Sequence, residues 1–172
     1  MTDSPAREGL ITGTGRWTAH RDACVPDDVA RILATLPEWF GIPSATAEYV
    51  EAAATSETWT VRGTDDRVVG VLLVERHFPH VAEIHLMAVD RDHRGTGVGR
   101  ALVDALERAA HADGVALLEV KTLGASHPDP GYARTRVFYE RSGFLPLETV
   151  DLWGPGTPCL IMVKPLRTAV EV

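Results

Sequence analysis

Six consecutive residues, Arg94-Gly95-Thr96-Gly97-Val98-Gly99, alternate glycine with other side chains between an apolar run and an amphipathic one. Glycine reaches backbone angles closed to other residues, so this spacing lets the chain turn tightly and aim several N–H groups at one point. If a helix starts there, the positive end of its dipole adds to them, and the natural guest is an anion such as pyrophosphate. Two other phosphate loops are excluded by spacing. A GxGxxG fingerprint would need glycine where Arg100 or Leu102 stands, and no Gly-Lys-Ser or Gly-Lys-Thr occurs to support nucleotide hydrolysis.

The elements around this loop follow from residue periodicity. Residues 82–89 read as a strand leading into it, and residues 97–112 as an amphipathic helix with Leu102, Val103, Leu106 and Ala109 inward. Upstream, residues 16–20 read as a short strand. A helix capped by Asp27 or Asp28 follows and ends at Pro37, and a second one follows Ser44. Residues 58–62 and 67–74 form an expected β-hairpin around Gly63-Thr64-Asp65-Asp66. Downstream come a strand at 115–122, a loop over 124–131, a helix at 134–142, and strands at 145–153 and 159–164. The order is βααβββαβαββ, which implies an α/β sandwich around one mixed sheet. No repeat or linker divides the chain, so one domain over 1–172 is expected, with an ordered core of about 14–166 and loosely attached ends.

A second motif stands about forty residues beyond the first: Phe138-Tyr139-Glu140-Arg141-Ser142-Gly143-Phe144. With Arg94 to Gly99 matching Q/R-x-x-G-x-G/A, and this segment matching FYxxxGF in the same order, the chain resembles the GNAT superfamily of acyl-CoA N-acyltransferases. The resemblance implies an α+β fold with a mixed, mostly antiparallel central sheet flanked by helices. It implies acetyl-CoA as co-substrate and a primary amine as acceptor. An inactive acyl-CoA-binding sensor of the same fold is the alternative. Met87, Val89, Arg94, Gly95, Thr96, Gly97, Val98, Gly99 and Arg100 become the co-substrate residues, with a backbone N–H near Val89 facing the developing oxyanion.

Ala82-Glu83-Ile84, eleven residues ahead of Arg94, is similar to the histone acetyltransferase branch, where a Glu at that place is the general base. The alternation of a strand puts Glu83, His85, Met87 and Val89 on one side. Glu83, or a water held by Glu83 and His85, is the expected base. Freeing the lone pair of an alkylamine at pH 7 costs roughly 4–5 kcal/mol, and a positioned base contributes about 10²–10⁴ in rate. Tyr139 is the candidate donor to the leaving thiolate. A phenol near pKa 10 protonating a thiolate near 8.5 is uphill by roughly 2 kcal/mol, so a hydrogen bond to sulfur is the more natural role. The chain departs from the family at NxxAxxFY, where Tyr132 and Thr135 replace Asn and Ala. Ser126-His127-Pro128-Asp129-Pro130-Gly131, just before, is expected to supply other contacts or cover the site.

Trp39 and Phe40 stand where this family builds its acceptor pocket, and Trp153 ends a late strand. His77 and His80 flank Phe78-Pro79, too few ligands for a metal, and no metal is expected. Cys24 and Cys159 lack any paired spacing, which argues against a disulfide framework. A net charge of −7 and a pI near 5.4 weigh against nucleic acid and suit a cationic small molecule or basic peptide. Hydrophobic residues at 45% form no membrane-length run, and the first nine residues carry no export pattern, so a cytoplasmic protein is expected. Oligomeric state is left open, with a homodimer one option.

Overall fold

The computed structural model describes residues 17–166; both chain ends, and Arg16 at the head of the expected first strand, lie outside them. The elements are β1 (Ala19–Asp22), α1 (Pro26–Ala34), α2 (Pro43–Ala52), β2 (Glu57–Arg62), β3 (Val68–Phe78), β4 (Val81–Val89), α3 (Val98–Ala112), β5 (Leu117–Leu123), α4 (Pro130–Arg141), β6 (Leu145–Val150) and β7 (Cys159–Pro165). This is the expected order. The seven strands form one sheet, β1-β2-β3-β4-β5-β7-β6, antiparallel except for β4 against β5.

Two cores sandwich that sheet. One packs α3 and α4 on Leu72, Val74, Ile84, Leu118 and Val120 through Leu102, Leu106 and Tyr139. The other packs α1 on Val71, Leu73, Leu86 and Ala88 through Val29, Ile32 and Leu33, with Tyr49 and Val50 of α2 alongside. Gly70 of β3 shows how closely α3 approaches, since a Cβ there would lie 2.4 Å from Val98 Cγ1.

Several boundaries moved for local reasons. Prolines at the first positions start α1 and α2, so Asp27, Asp28 and Ser44 lie inside their first turns and cap neither helix. α1 ends at Ala34, short of Pro37. α4 begins four residues before the expected 134, because the Asp129 carboxylate accepts from the Tyr132 N–H and Pro130 takes the first helical position. β6 ends at Val150, which leaves Trp153 in the connection to β7.

Two irregularities in β4 shape the site. Leu73 pairs with Leu86 and Val74 with Ile84, so His85 is an extra residue in β4, a bulge. The bulge resets the alternation: Ile84 faces the α3 core while Leu86 faces the α1 core. Glu83 and His85 therefore face the α1–α2 side and Met87 and Val89 the α3 side, which corrects the expectation that all four share one side. Second, β4 pairs with β5 only from Val81↔Leu117 to Ile84↔Val120. Beyond that the strands part.

Candidate active site

The gap between the parted strands opens into a cavity of about 450 Å³. At one end lies the glycine loop. After β4, a 3₁₀ turn at Arg91–His93 is capped by the Asp90 carboxylate, which accepts from the Asp92 N–H at 3.2 Å. The Arg91 guanidinium anchors this turn to Glu38 at 2.6 and 2.7 Å and to the Thr35 carbonyl at 2.7 Å. Gly95 (φ 74°) and Gly97 (φ 100°) take left-handed angles, and Gly97 caps α3. A Cβ at Gly95 would meet nothing and one at Gly97 only the Trp17 ring at 3.7 Å, so conformation and not crowding demands glycine there. The Thr96 hydroxyl donates to the His93 carbonyl at 2.6 Å and accepts from Trp17 Nε1 at 3.0 Å, which pins the loop. The Val98 side chain is spent in the core.

Positive charge gathers at this end. The Arg94 guanidinium stacks over the Trp39 ring at 4.1 Å. Burial, together with the charges of Arg134 and Arg91, holds its pKa below the usual arginine value. Among the described residues, neither Arg94 nor Arg134 has a salt-bridge partner, whereas Arg100 pairs with Asp104 at 2.7 Å. Along the gap, the Asp90 N–H donates to the Val69 carbonyl at 2.9 Å. By the alternation of an antiparallel ladder, the backbone groups of Met87 and Val89 then face away from β3, toward the place β5 has left.

The other end holds a chain of charged and ionisable groups. Glu83 Oε2 lies 2.7 Å from both Lys121 Nζ and His77 Nε2, and Lys121 reaches Glu119 at 2.9 Å. His77 Nε2 lies 3.7 Å from Glu75, whose other oxygen is 3.3 Å from His85 Nδ1. The side chain of Glu83 is only 7% exposed. Its burial would raise the carboxyl pKa, but the Lys121 ammonium and His77 hold it below the usual value. Lys121 is raised in turn, its partners Glu83 and Glu119 outweighing burial. Glu75, His77 and Glu83 also bring their ligating atoms within 4.8 Å of one another, so His77 has more company than its sequence neighbours suggest. Lys121 already supplies a cation to Glu83 there.

Of the residues the sequence singles out, Met87, Val89, Arg94, Gly95, Gly97, Gly99 and Arg100 line the cavity, as do His85, Tyr139, Trp39, Phe40 and Trp153. Glu83 does not; it lies behind Lys121 and His77. The Tyr139 ring is edge-on to Phe138 and Phe144, at 5.3 and 5.4 Å, and burial pushes its phenol well above the usual value. Tyr132 and Thr135, the departures from the family pattern, also line the cavity, whereas sequence reading missed Tyr49, Lys121 and Arg134. A polar residue alternating with apolar ones on a strand is the only trace Lys121 left.

The family described as acetyltransferase (GNAT) domain matches residues 55–146, just over half of the 172 residues, and the chain belongs to that family of acyltransferase enzymes. No curated protein matches. The fold is similar to a GNAT-family protein from Desulfovibrio desulfuricans, with TM-score 0.74 and 20% identity over 88% of this chain and 99% of that one. It is also similar to a ribosomal-protein alanine N-acetyltransferase from Escherichia coli, with TM-score 0.68 and 18% identity over 90% and 97%. A third is an aminoglycoside 6'-N-acetyltransferase complexed with coenzyme A, with TM-score 0.68 and 18% identity over 87% and 97%. No helix among the described residues is long and apolar enough to cross a membrane, and both cysteines are free.

Proposed function

We propose that the protein moves an acetyl group from acetyl-CoA to a primary amine. The observation that carries this reading is the gap between β4 and β5, with the glycine loop at one end, Tyr139 in its wall and His85 at the other end. Three features suit the co-substrate. The α3 N-terminus and left-handed glycines fit a diphosphate, Arg94 and Arg134 bring positive charge with no salt-bridge partner among the described residues, and the outward backbone of β4 offers hydrogen bonds to an extended amide chain. Acetyl-CoA supplies an acyl thioester ready for attack by an amine.

The chain's own residues then manage protons. His85 faces the cavity, and Glu75 beside its Nδ1 favours the tautomer with the proton there, leaving Nε2 to accept from the amine. Glu83 is the weaker base, because Lys121 and His77 stabilise its charged form. Its role is to hold Lys121 and His77 in place. As the C–N bond forms and the C–S bond breaks, the Val89 N–H faces the oxygen that gains charge. The Tyr139 hydroxyl donates a hydrogen bond to the departing sulfur, which takes its proton from solvent; a phenol raised by burial does not release its own.

The test is calorimetric titration with acetyl-CoA, followed by free-thiol release against a panel of primary amines. Thiol release matched by N-acetylated product is expected. Binding without release on every amine class would leave only an acyl-CoA-binding module.

A further inference from the structure

The acceptor class can be narrowed from the walls of the same cavity, an argument that rests on the acetyl transfer proposed above. The whole chain, at −7, favours cationic partners. The cavity does not share that average. No aspartate or glutamate is among its described lining residues, whose charged side chains are Arg94, Arg100, Lys121 and Arg134. Of the carboxylates paired to groups at this end, Glu83 and Glu119 are held by Lys121 and Glu75 by the two histidines, and Glu48, whose charge acts on Tyr49, lies outside the lining. A polyamine or aminoglycoside brings several ammonium groups, and each would lose water on entry without a carboxylate to replace it.

What the acceptor end offers is aromatic surface. Phe40 and Tyr49 meet edge-on at 5.8 Å, and Tyr49 lies 5.4 Å from the His85 ring. Trp153, 42% exposed, closes the same cavity from the β6–β7 connection. Trp39, held by the Arg94 stack on one side and Gly131 of α4 on the other, divides this aromatic end from the phosphate end. Set against these rings is the imidazole of His85, the base the reaction needs.

We infer that the acceptor is a monoamine with an aryl or arylalkyl body, its amine at His85 and its ring against Phe40, Tyr49 and Trp153. Planar rings prefer edge-to-face and offset contacts of this kind, and a single ammonium loses its charge at the base on reaction. The probes are tryptamine and 2-phenylethylamine against spermidine and kanamycin, with the affinity for acetyl-CoA measured first. We expect kcat/KM for both arylalkylamines to exceed that for either polycation by about tenfold or more. Trp153→Ala is expected to raise KM for tryptamine about tenfold with little change in kcat. Polycations used equally well, or acetyl-CoA bound normally with neither arylalkylamine turned over, would overturn the acceptor assignment alone. Failure to bind acetyl-CoA at all would instead overturn the transferase reading beneath it.

Discussion

The two ends of the cavity are built from different materials. The end proposed to hold the diphosphate is backbone: two left-handed glycines, a helix N-terminus, and the outward N–H and C=O groups of β4. Among the described residues its arginines Arg94 and Arg134 have no salt-bridge partner, which suits an anion. The acceptor end is side chain, with rings from α2, the segment after α1 and the β6–β7 connection around a chain of already paired charges. Backbone donors serve any ligand with the same phosphates, whereas packed side chains discriminate between bodies of different shape and charge. The first end is therefore the general one and the second the discriminating one.

The comparison predicts a ranking of effects. Gly97→Asp should be the most damaging, because it puts a Cβ at φ 100° and sets a carboxylate at the helix N-terminus in the diphosphate's place, where it repels the ligand. Affinity for acetyl-CoA should fall by about 10³-fold or more, or some 4 kcal/mol. Calorimetry on a variant with unchanged circular dichroism checks it. Unchanged affinity would mean that the backbone end does not hold the co-substrate.

At the other end, His85→Asn should lower kcat/KM by about 10²–10³ with acetyl-CoA affinity intact. Glu83→Gln should cost less activity, because Glu83 acts through its neighbours, and should cost about 1–2 kcal/mol of stability at neutral pH. The sign follows from a carboxyl pKa held below its ordinary 4.5: this stabilisation is present above that value and lost as pH falls through the lowered pKa. Thermal melts of both proteins at pH 7 and at low pH would show the difference vanish in acid. If Glu83→Gln proves the more damaging to kcat/KM, the order expected from sequence holds and His85 only orients the amine.

Tyr139→Phe should have the smallest effect, lowering kcat by about tenfold with little change in KM for acetyl-CoA, since the hydroxyl matters chiefly as charge builds on sulfur. Steady-state kinetics suffice. A loss under about threefold would make Tyr139 a packing residue of the α4 core.

The same division decided what the residue order alone could reveal. The glycine loop, FYxxxGF and the element order are local: each depends on backbone angles or on a hydrophobic period within about fifteen residues, and each was legible. Even the early start of α4 was written locally, in Asp129-Pro130, and only overlooked. The acceptor end was legible only in part: His85, Trp39, Phe40 and Trp153 are among the expected residues, Tyr49 and Lys121 are not. Tyr49, His85, Lys121 and Trp153 come from four separate stretches of chain and meet only because β4 and β5 part after Ile84 and Val120. Nor does alternation by itself reveal the bulge at His85, which turns Glu83 and His85 to one face and Met87 and Val89 to the other. The amino-acid order determined the fold, the family and the glycine loop, because these rest on short-range conformation. Which carboxylate is buried, which is paired and which ring faces the acceptor depends on where distant strands separate, and only the tertiary structure decided that.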